Sequence, residues 1–484
     1  MLNKGQEKAL RLLESGANTF LTGEAGTGKS YVLNHFLEKN KHKNILITAP
    51  TGIASIHIGG STLHRVFKVP VEPISPTKAP LKTSETIQKA DIIVIDEISM
   101  CRFDCFEYVA KSIKLAEREA QFQENQKLEP KKLPKKQVIV VGDFFQLPPV
   151  ITDKDRLVLE DYWKDTIPQI GDGFAFISPS WHEFDFKKTI LTEQMRQKGN
   201  VDFVTNLNKI RKGDKTAIDW FNKNANTKPQ KGIYLVPTNK MAEQINAQAT
   251  AKIKRKPHVY EADIDGNVLE TDKATTDKLE LKIGMQVMSL INDNEDNYQN
   301  GSIGTVKKLN DDTVTVDFNG ERVEITPHTW EIIDYELVAE TGEKEKKLKK
   351  VVVGTFRQLP LKIAYAITIH KSQAQTYDSA NISPSCFASG QLYVALSRLK
   401  TIEKLHLTAE IKKKHLITSQ EVLNFYENEQ EESNIVTKSK AEKHGGKREG
   451  AGRKQKYGCK TTTIRIPVSA KQEVLKLLAS REWE

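Results

Sequence analysis

Gly23-Glu24-Ala25-Gly26-Thr27-Gly28-Lys29-Ser30 fits the pattern G-x-x-x-x-G-K-[ST], and its neighbours give that pattern physical meaning. Upstream, Asn18-Thr19-Phe20-Leu21 reads as a short buried strand. Downstream, Tyr31 to Leu37 carries apolar residues at helical spacing. A glycine-rich turn between strand and helix aims backbone N–H groups and the positive end of the helix dipole at one spot, which suits phosphate oxygens. Gly23, Gly26, Thr27 and Gly28 are the expected cradle. Lys29 is expected to reach the β- and γ-phosphates, and the Ser30 hydroxyl to take Mg²⁺. The expected ligand is therefore ATP with Mg²⁺. Gln6, just ahead of this loop, has an amide able to donate to and accept from adenine.

At 484 residues the chain exceeds one hydrophobic core, and about two to four domains are expected. Its net charge of +10 and pI near 9.0 suit a polyanionic partner. Four cysteines, Cys101, Cys105, Cys386 and Cys459, make no disulfide framework for this length and read as reduced thiols. The first residues enter a working domain at once, which is read as leaving no room for a signal or transit peptide. No apolar run approaches membrane-spanning length. These features lead us to expect a cytoplasmic chain with no membrane partner.

Farther along, Asn44 to Gly52 reads as a buried parallel strand running into a loop, followed by Gly59-Gly60-Ser61-Thr62-Leu63-His64-Arg65-Val66-Phe67. Loops at the carboxyl ends of parallel strands are where ligands bind in such sheets. Thr51, Thr62 and His64 suit phosphodiester contact there, and Phe67 suits base stacking. Residues from about 66 to 86 are rich in Pro, Lys and Thr and read as a small protruding insertion. Asp91-Ile92-Ile93-Val94-Ile95-Asp96-Glu97 is an apolar strand ending in two carboxylates. Asp96 is placed to hold Mg²⁺ opposite Ser30, and Glu97 to polarise the water that attacks the γ-phosphate. Lys111 to Lys136 is strongly charged and reads as a solvated helix and linker. Gln137 to Pro149 repeats the strand-then-polar pattern, with Gln146 positioned to sense the γ-phosphate.

Taken in order, GEAGTGKS, TAPTGIAS, GGSTLH, IIVIDEISM and VVGDFFQLPPV resemble the motor motifs of the Pif-one/RecD-like DNA helicases of superfamily 1B. Leu191-Thr192-Glu193-Gln194-Met195-Arg196-Gln197, Pro237-Thr238-Asn239, Ala364 to Gln373 and Gln391 to Arg398 extend the resemblance over most of residues 1 to 410. It implies two RecA-like P-loop motor domains of α/β class. It also implies that Arg196 and Arg398 act as arginine fingers and that Gln373 faces the nucleotide. By the same resemblance, Pro237 and Asn239 contact single-stranded DNA, and Thr368, His370, Lys371 and Ser372 contact the strand or couple it to the cleft. The family carries Gly after H-K-S-Q, where this chain has Ala374. The implied activity is ATP-dependent 5′→3′ translocation with unwinding of forked duplex DNA in replication, repair or recombination. The alternative is a DNA-stimulated ATPase that remodels protein–DNA complexes without processive unwinding. A monomeric motor is expected, with single-strand-binding, replication or recombination proteins as partners, in a bacterial or phage-infected cell. The family's association with telomere maintenance belongs to the same resemblance.

Between the later motifs, residues 283 to 360 alternate in period two, with Asn319-Gly320 as a hairpin turn. This predicts a small β-barrel inserted into the second motor domain (residues 191–282 and 361–430), and the resemblance suggests an SH3-like one. The first motor domain is read as residues 1–190. Beyond an acidic linker, residues 431–484 turn basic and glycine-rich, then strand-like and helical, like the opening half of a ribbon-helix-helix unit.

Overall fold

Six short strands form the first sheet, the central ones apolar on both faces. They are β1 (Thr19–Gly23), β2 (Ile45–Ala49), β3 (Ser61–Thr62), β4 (Ile92–Ile95), β5 (Gln137–Gly142) and β6 (Lys187–Leu191). All pair parallel, in the order β3-β2-β4-β5-β1-β6. The computed structural model describes residues 2–427, apart from 128–131, 198, 294, 296, 340–345 and 374. The Ala374 departure and the basic tail lie outside the described residues.

A parallel sheet needs cover on both faces, which is why its strands read as continuous apolar runs. On one face, α1 (Lys4–Glu14) and α2 (Lys29–Lys39) bury Leu10, Leu13, Val32, Leu33 and Phe36 against Leu21, Val94, Ile139 and Val141. A capping box starts α1: Gln6 N–H donates to Asn3 Oδ1 at 2.8 Å, and Asn3 N–H to Gln6 Oε1 at 3.1 Å. On the other face, Phe20, Phe106, Phe144, Phe176 and Trp181 form an aromatic cluster. Phe425 returns to this cluster from the far end of the described chain and stacks on Phe176 at 4.4 Å.

The expected insertion around 66–86 carries no strand, but it is anchored at its base. Ile74 is buried, and its carbonyl accepts from Trp163 Nε1 at 2.8 Å. Lys136, at the end of the charged stretch, points inward and donates to the Gln88 and Ala90 carbonyls at 2.6 and 2.7 Å.

A second parallel sheet follows, in the order Ala366–Thr368, Ile233–Val236, Ala380–Ile382, Leu405–Leu407. Its core packs Leu235, Ile367, Ile382 and Leu405 with Phe203, Phe221 and Leu392. Between its first two strands in sequence lies the expected β-rich insertion. Five antiparallel strands run in the order Glu321–Ile325, Val314–Phe318, Ile303–Leu309, Gln286–Ser289, Leu361–Ile363. Asn319 and Gly320, at φ 54° and 104°, make the turn that their sequence announced. The β-rich region starts earlier than residue 283: Tyr260, Leu279 and Leu281, from the paired strands His258–Glu261 and Lys278–Leu281, share its core.

A long hairpin, His328–Ala339 with Lys346–Gln358, was not foreseen in this form. It reaches back to the first sheet. Tyr335 Oη accepts from Ile47 N–H at 2.9 Å and donates to its carbonyl at 3.2 Å. Beside it, Arg65 and Asp272 form a nearly buried ion pair of 2.6 Å. No helix among the described residues is long and apolar enough to cross a membrane.

Glu421 ties the end of the described chain to the first sheet region, its Oε1 accepting from Asp172 N–H at 2.8 Å. Burial and the Asp172 carboxylate push its carboxyl up from 4.5 to about 7. A carboxyl raised in this way stabilises the fold fully below its ordinary value, and the contribution is lost as pH rises through about 7. Glu421→Gln should therefore flatten the fall in thermal midpoint between about pH 4.5 and 7, the window those two values bracket. An unchanged pH profile by circular dichroism would contradict this.

Candidate nucleotide cleft and strand track

The loop between β1 and α2 is shaped by its glycines. Gly26 and Gly28 both sit at φ 84°, and a Cβ on Gly26 would come within 2.7 Å of Arg196 Cβ. Gly28 is the N-cap of α2 and offers no side chain to its first N–H groups, which leaves them for an anion. Lys29 Nζ lies over the loop, donating to the Gly23 and Glu24 carbonyls at 2.9 and 3.1 Å. Burial lowers its pKa, and Asp143, Glu97 and Asp96 oppose that shift. Ser30 is exposed at the same mouth.

The ends of β4 and β5 deliver the acids and amides. Burial, then the Glu97 charge, raises Asp96 to about 7, against a hydrogen bond from Glu97 N–H and the pull of Lys29. A dication facing Ser30 and Asp96 would favour the ionised carboxylate, so this donor set fits Mg²⁺. Glu97 holds φ at 49°, a left-handed value rare for a residue with a side chain. Its carboxylate accepts from Gln373 Nε2 at 3.0 Å, and the same amide nitrogen lies 3.5 Å from Gln146 Oε1. Gln373 Oε1 is buried with no partner among the described residues. Residues 97, 146 and 373, distant in sequence, thus meet at one point.

Arg196 and Arg398 close the cleft. Arg196 Nη1 donates to the Ser397 carbonyl at 3.2 Å. Burial, then the neighbouring Arg398 charge, pulls its pKa down to about 9. Arg398 is fully buried, with Nε on the Val394 carbonyl at 2.9 Å and Nη1 on the Ser372 and Gln375 carbonyls, both at 3.3 Å. Neither guanidinium makes an ion pair among the described residues. Lys29, Ser30, Glu97, Gln146, Arg196 and Arg398 all line one cavity of about 700 Å³.

Some contacts had no signal in sequence. Asp143, fully buried, pairs with Arg211 at 2.8 Å, and the Arg211 guanidinium sits 4.0 Å over the Phe145 ring. Tyr393 Oη accepts from Ala25 N–H in the loop at 3.0 Å. Gln197 Nε2 donates to the Ser397 and Leu399 carbonyls at 3.2 and 2.9 Å. Sequence separation hides each of these pairs.

Three expectations need correction. Gln6 does not face the cavity: it is 2% exposed and its Nε2 donates to the Thr27 carbonyl at 3.3 Å. The capping box takes its Oε1, so it buttresses the loop from beneath. Phe67 is 3% exposed, because the short helix Leu63–Phe67 turns its ring into the core, and it offers no stacking face. Ser372 is fully buried, with its hydroxyl committed to the Ile369 carbonyl at 2.7 Å.

The remaining strand-contact candidates fall into two kinds. Thr51 and Thr62 are half-buried N-caps, accepting from Ala54 and Arg65 N–H at 3.3 and 3.2 Å. Thr368 and Pro237 are buried, with the Pro237 carbonyl accepting from Gln391 at 3.3 Å. Asn239 and Lys371 are exposed, and His64 and His370 half-buried. The accessible ones sit where strands of both sheets end.

The sequence profile of the PIF1-like helicase family matches residues 1–220. The chain is 32% identical over 447 residues to the ATP-dependent DNA helicase Pif1 of Bdellovibrio bacteriovorus, a match covering 88% of this chain and 91% of that protein. It is 32% identical over 466 residues to PIF1 of Danio rerio, covering 90% of this chain and 65% of that protein. Among solved structures, Bacteroides sp Pif1 in complex with ADP-AlF4 superposes with a TM-score of 0.76 at 31% identity, over 90% of this chain and 98% of that one. Bacteroides Pif1 bound to ssDNA gives a TM-score of 0.62 at 32% identity, over the same 90% and 98%.

The Phe67 correction is testable. Phe67→Ala should cost about 3–5 kcal/mol of stability. Phe67→Leu should recover most of that and bind a single-stranded oligonucleotide like the parent chain. A leucine variant that folds yet binds the strand tenfold more weakly would return Phe67 to the strand interface.

Proposed function

The chain belongs to the PIF1-like helicase family, and from that premise we propose that this ATP-dependent DNA helicase moves 5′→3′ along single-stranded DNA and opens forked duplex ahead of it. One observation carries the mechanism: two parallel sheets bring Lys29, Glu97, Gln146, Arg196 and Arg398 around a single cavity, with Gln373 hydrogen-bonded to Glu97. In this reading residues 1–190 form one motor lobe, and residues 191–282 with 361–430 the other. The β-rich insertion interrupts the second lobe, and the tail beyond 431 is a basic appendage.

ATP lies on the Gly23–Ser30 loop with Lys29 on its outer phosphates. Ser30 and Asp96 would hold Mg²⁺, which would supply positive charge to the phosphates. Glu97 orients and deprotonates the attacking water, and Gln373 holds the Glu97 carboxylate in place. Gln146 and Gln373 report the γ-phosphate to the strand track. Arg196 and Arg398 leave their carbonyl partners for the charge that grows on the transferred phosphoryl group. Fuel then closes the lobes and hydrolysis reopens them. Asn239, His370 and Lys371 on one lobe and Thr51, Thr62 and His64 on the other take turns gripping the backbone. We place this motor in the cytoplasm as a monomer, working with single-strand-binding and replication or recombination proteins.

Strand displacement from tailed duplexes tests the polarity. With ATP and Mg²⁺, a duplex carrying a 5′ single-stranded tail should be opened, and one with only a 3′ tail left intact. Opening of the 3′-tailed substrate would reverse the proposed direction. Strand-stimulated hydrolysis with neither substrate opened would favour a translocase that remodels protein–DNA complexes.

A further inference from the structure

Two of the basic stretches turn lysines inward: Lys136 donates to the Gln88 and Ala90 carbonyls, and Lys350 to the Gly59 carbonyl. The run Lys252-Ile253-Lys254-Arg255-Lys256 does the opposite. Its four cations are exposed, and none makes an ion pair or a side-chain hydrogen bond among the described residues. Their backbone, by contrast, is held at both ends. The helix Asn239–Ala251 leads into the run and is pinned to the second sheet: Asn246 Nδ2 donates to the Ala366 carbonyl and Ala366 N–H to Asn246 Oδ1, both at 2.8 Å. Ile253 packs on the core of the β-rich insertion, and its carbonyl accepts from Lys282 Nζ at 3.1 Å. The strand His258–Glu261 then pairs with Lys278–Leu281. Four free charges therefore stand on a fixed ledge where the second sheet meets the insertion.

The ledge stands apart from the strand track. The helix that leads to it starts at Asn239, an exposed strand-contact candidate, and its 13 residues carry the chain about 20 Å away. Proteins grip single strands by stacking bases on aromatic rings as well as by charge. No ring is free for that between residues 252 and 260: His258 is turned onto Tyr260 at 4.6 Å, and Tyr260 is buried. A protein partner would seat an aromatic or apolar anchor in a pocket. Val259 is the one large apolar side chain exposed between residues 252 and 259. Charge without rings or anchors suits a duplex, whose bases are stacked inside and whose backbone is a row of phosphates. Resting on the helicase reading above, we propose that Lys252, Lys254, Arg255 and Lys256 hold phosphates of the duplex arm of forked DNA, at a site distinct from the single-strand track. The contact ignores base sequence and keeps the fork against the motor while the lobes step along the strand.

The test is equilibrium binding of the full chain without ATP, to a single-stranded oligonucleotide and to the same oligonucleotide as the 5′ tail of a duplex. Each phosphate contact to duplex steepens the fall of log K with log salt by about 0.9. The parent should therefore show a slope steeper by about 3 to 4 on the tailed duplex than on the oligonucleotide. Lys252→Gln, Lys254→Gln, Arg255→Gln and Lys256→Gln combined should remove that difference for any duplex sequence. Single-strand binding and single-strand-stimulated ATP turnover should stay parental. Lys252→Arg, Lys254→Arg and Lys256→Arg combined keep the charge and should behave like the parent. Lys412, Lys413 and Lys414 form a second exposed run, and changing all three to Gln controls for net charge: the difference between substrates should persist. The proposal is overturned if the parent's two slopes agree, or if the four-Gln variant keeps the difference or weakens single-strand binding equally. Loss of the difference in the Lys412, Lys413 and Lys414 variant would also overturn it. A parent that shows the expected slopes but opens neither tailed duplex with ATP would overturn the helicase reading and leave this contact standing.

Discussion

Two neighbouring guanidiniums, Arg398 fully buried and Arg196 half-buried, neither in an ion pair among the described residues, form the constraint on which this structure turns. Burial depresses the affinity of both Arg196 and Arg398 for their protons, the Arg398 charge adds to this at Arg196, and both lean on backbone carbonyls. Carbonyl dipoles satisfy the N–H groups but not the net charge, so the arrangement favours an anion. A phosphoryl group gaining charge in transfer is the anion that benefits most, and stabilisation confined to the transition state is what accelerates a reaction.

The rest of the fold holds the two ends of that interaction apart and in register. One sheet ends in the glycine loop, the acids at 96 and 97 and the amide at 146; the other supplies Gln373 and Arg398. Parallel strands place all of these at one edge, because their carboxyl ends point the same way. Fixed contacts cross the same seam: Arg211 with Asp143, Gln197 with the Ser397 and Leu399 carbonyls, Tyr393 with Ala25. The buried Asp143–Arg211 pair contributes geometry more than stability, since desolvating both ions offsets much of their attraction. The hairpin that reaches Ile47 and the Arg65–Asp272 pair fasten the β-rich insertion to the first sheet, so its position cannot change without breaking buried polar contacts.

Much of this was legible because local patterns and global fold agree. The glycine loop, the apolar runs ending in polar residues and the Asn319-Gly320 turn each carry a meaning that a short window contains. Side chains that face a choice of partners were harder. Gln6 could cap its own helix or meet a base, and the capping box won. Phe67 and Ser372 lie in motifs read as strand contacts, yet one turn of helix or 3₁₀ winding aims both inward. The start of the β-rich region at His258 was missed because its first strands are short and one is exposed throughout. Asp143 and Arg211, and Tyr335 and Ile47, lie too far apart in sequence for any periodicity to link them.

Single-strand-stimulated ATP turnover by Arg398→Ala, compared with the parent chain at saturating ATP and with folding checked by circular dichroism, probes the anion-demanding pair most directly. The account predicts that a folded variant binds nucleotide nearly as before but loses about 10³-fold or more in kcat. A folded Arg398→Ala chain that hydrolyses ATP at the parental rate in the presence of oligonucleotide would contradict it.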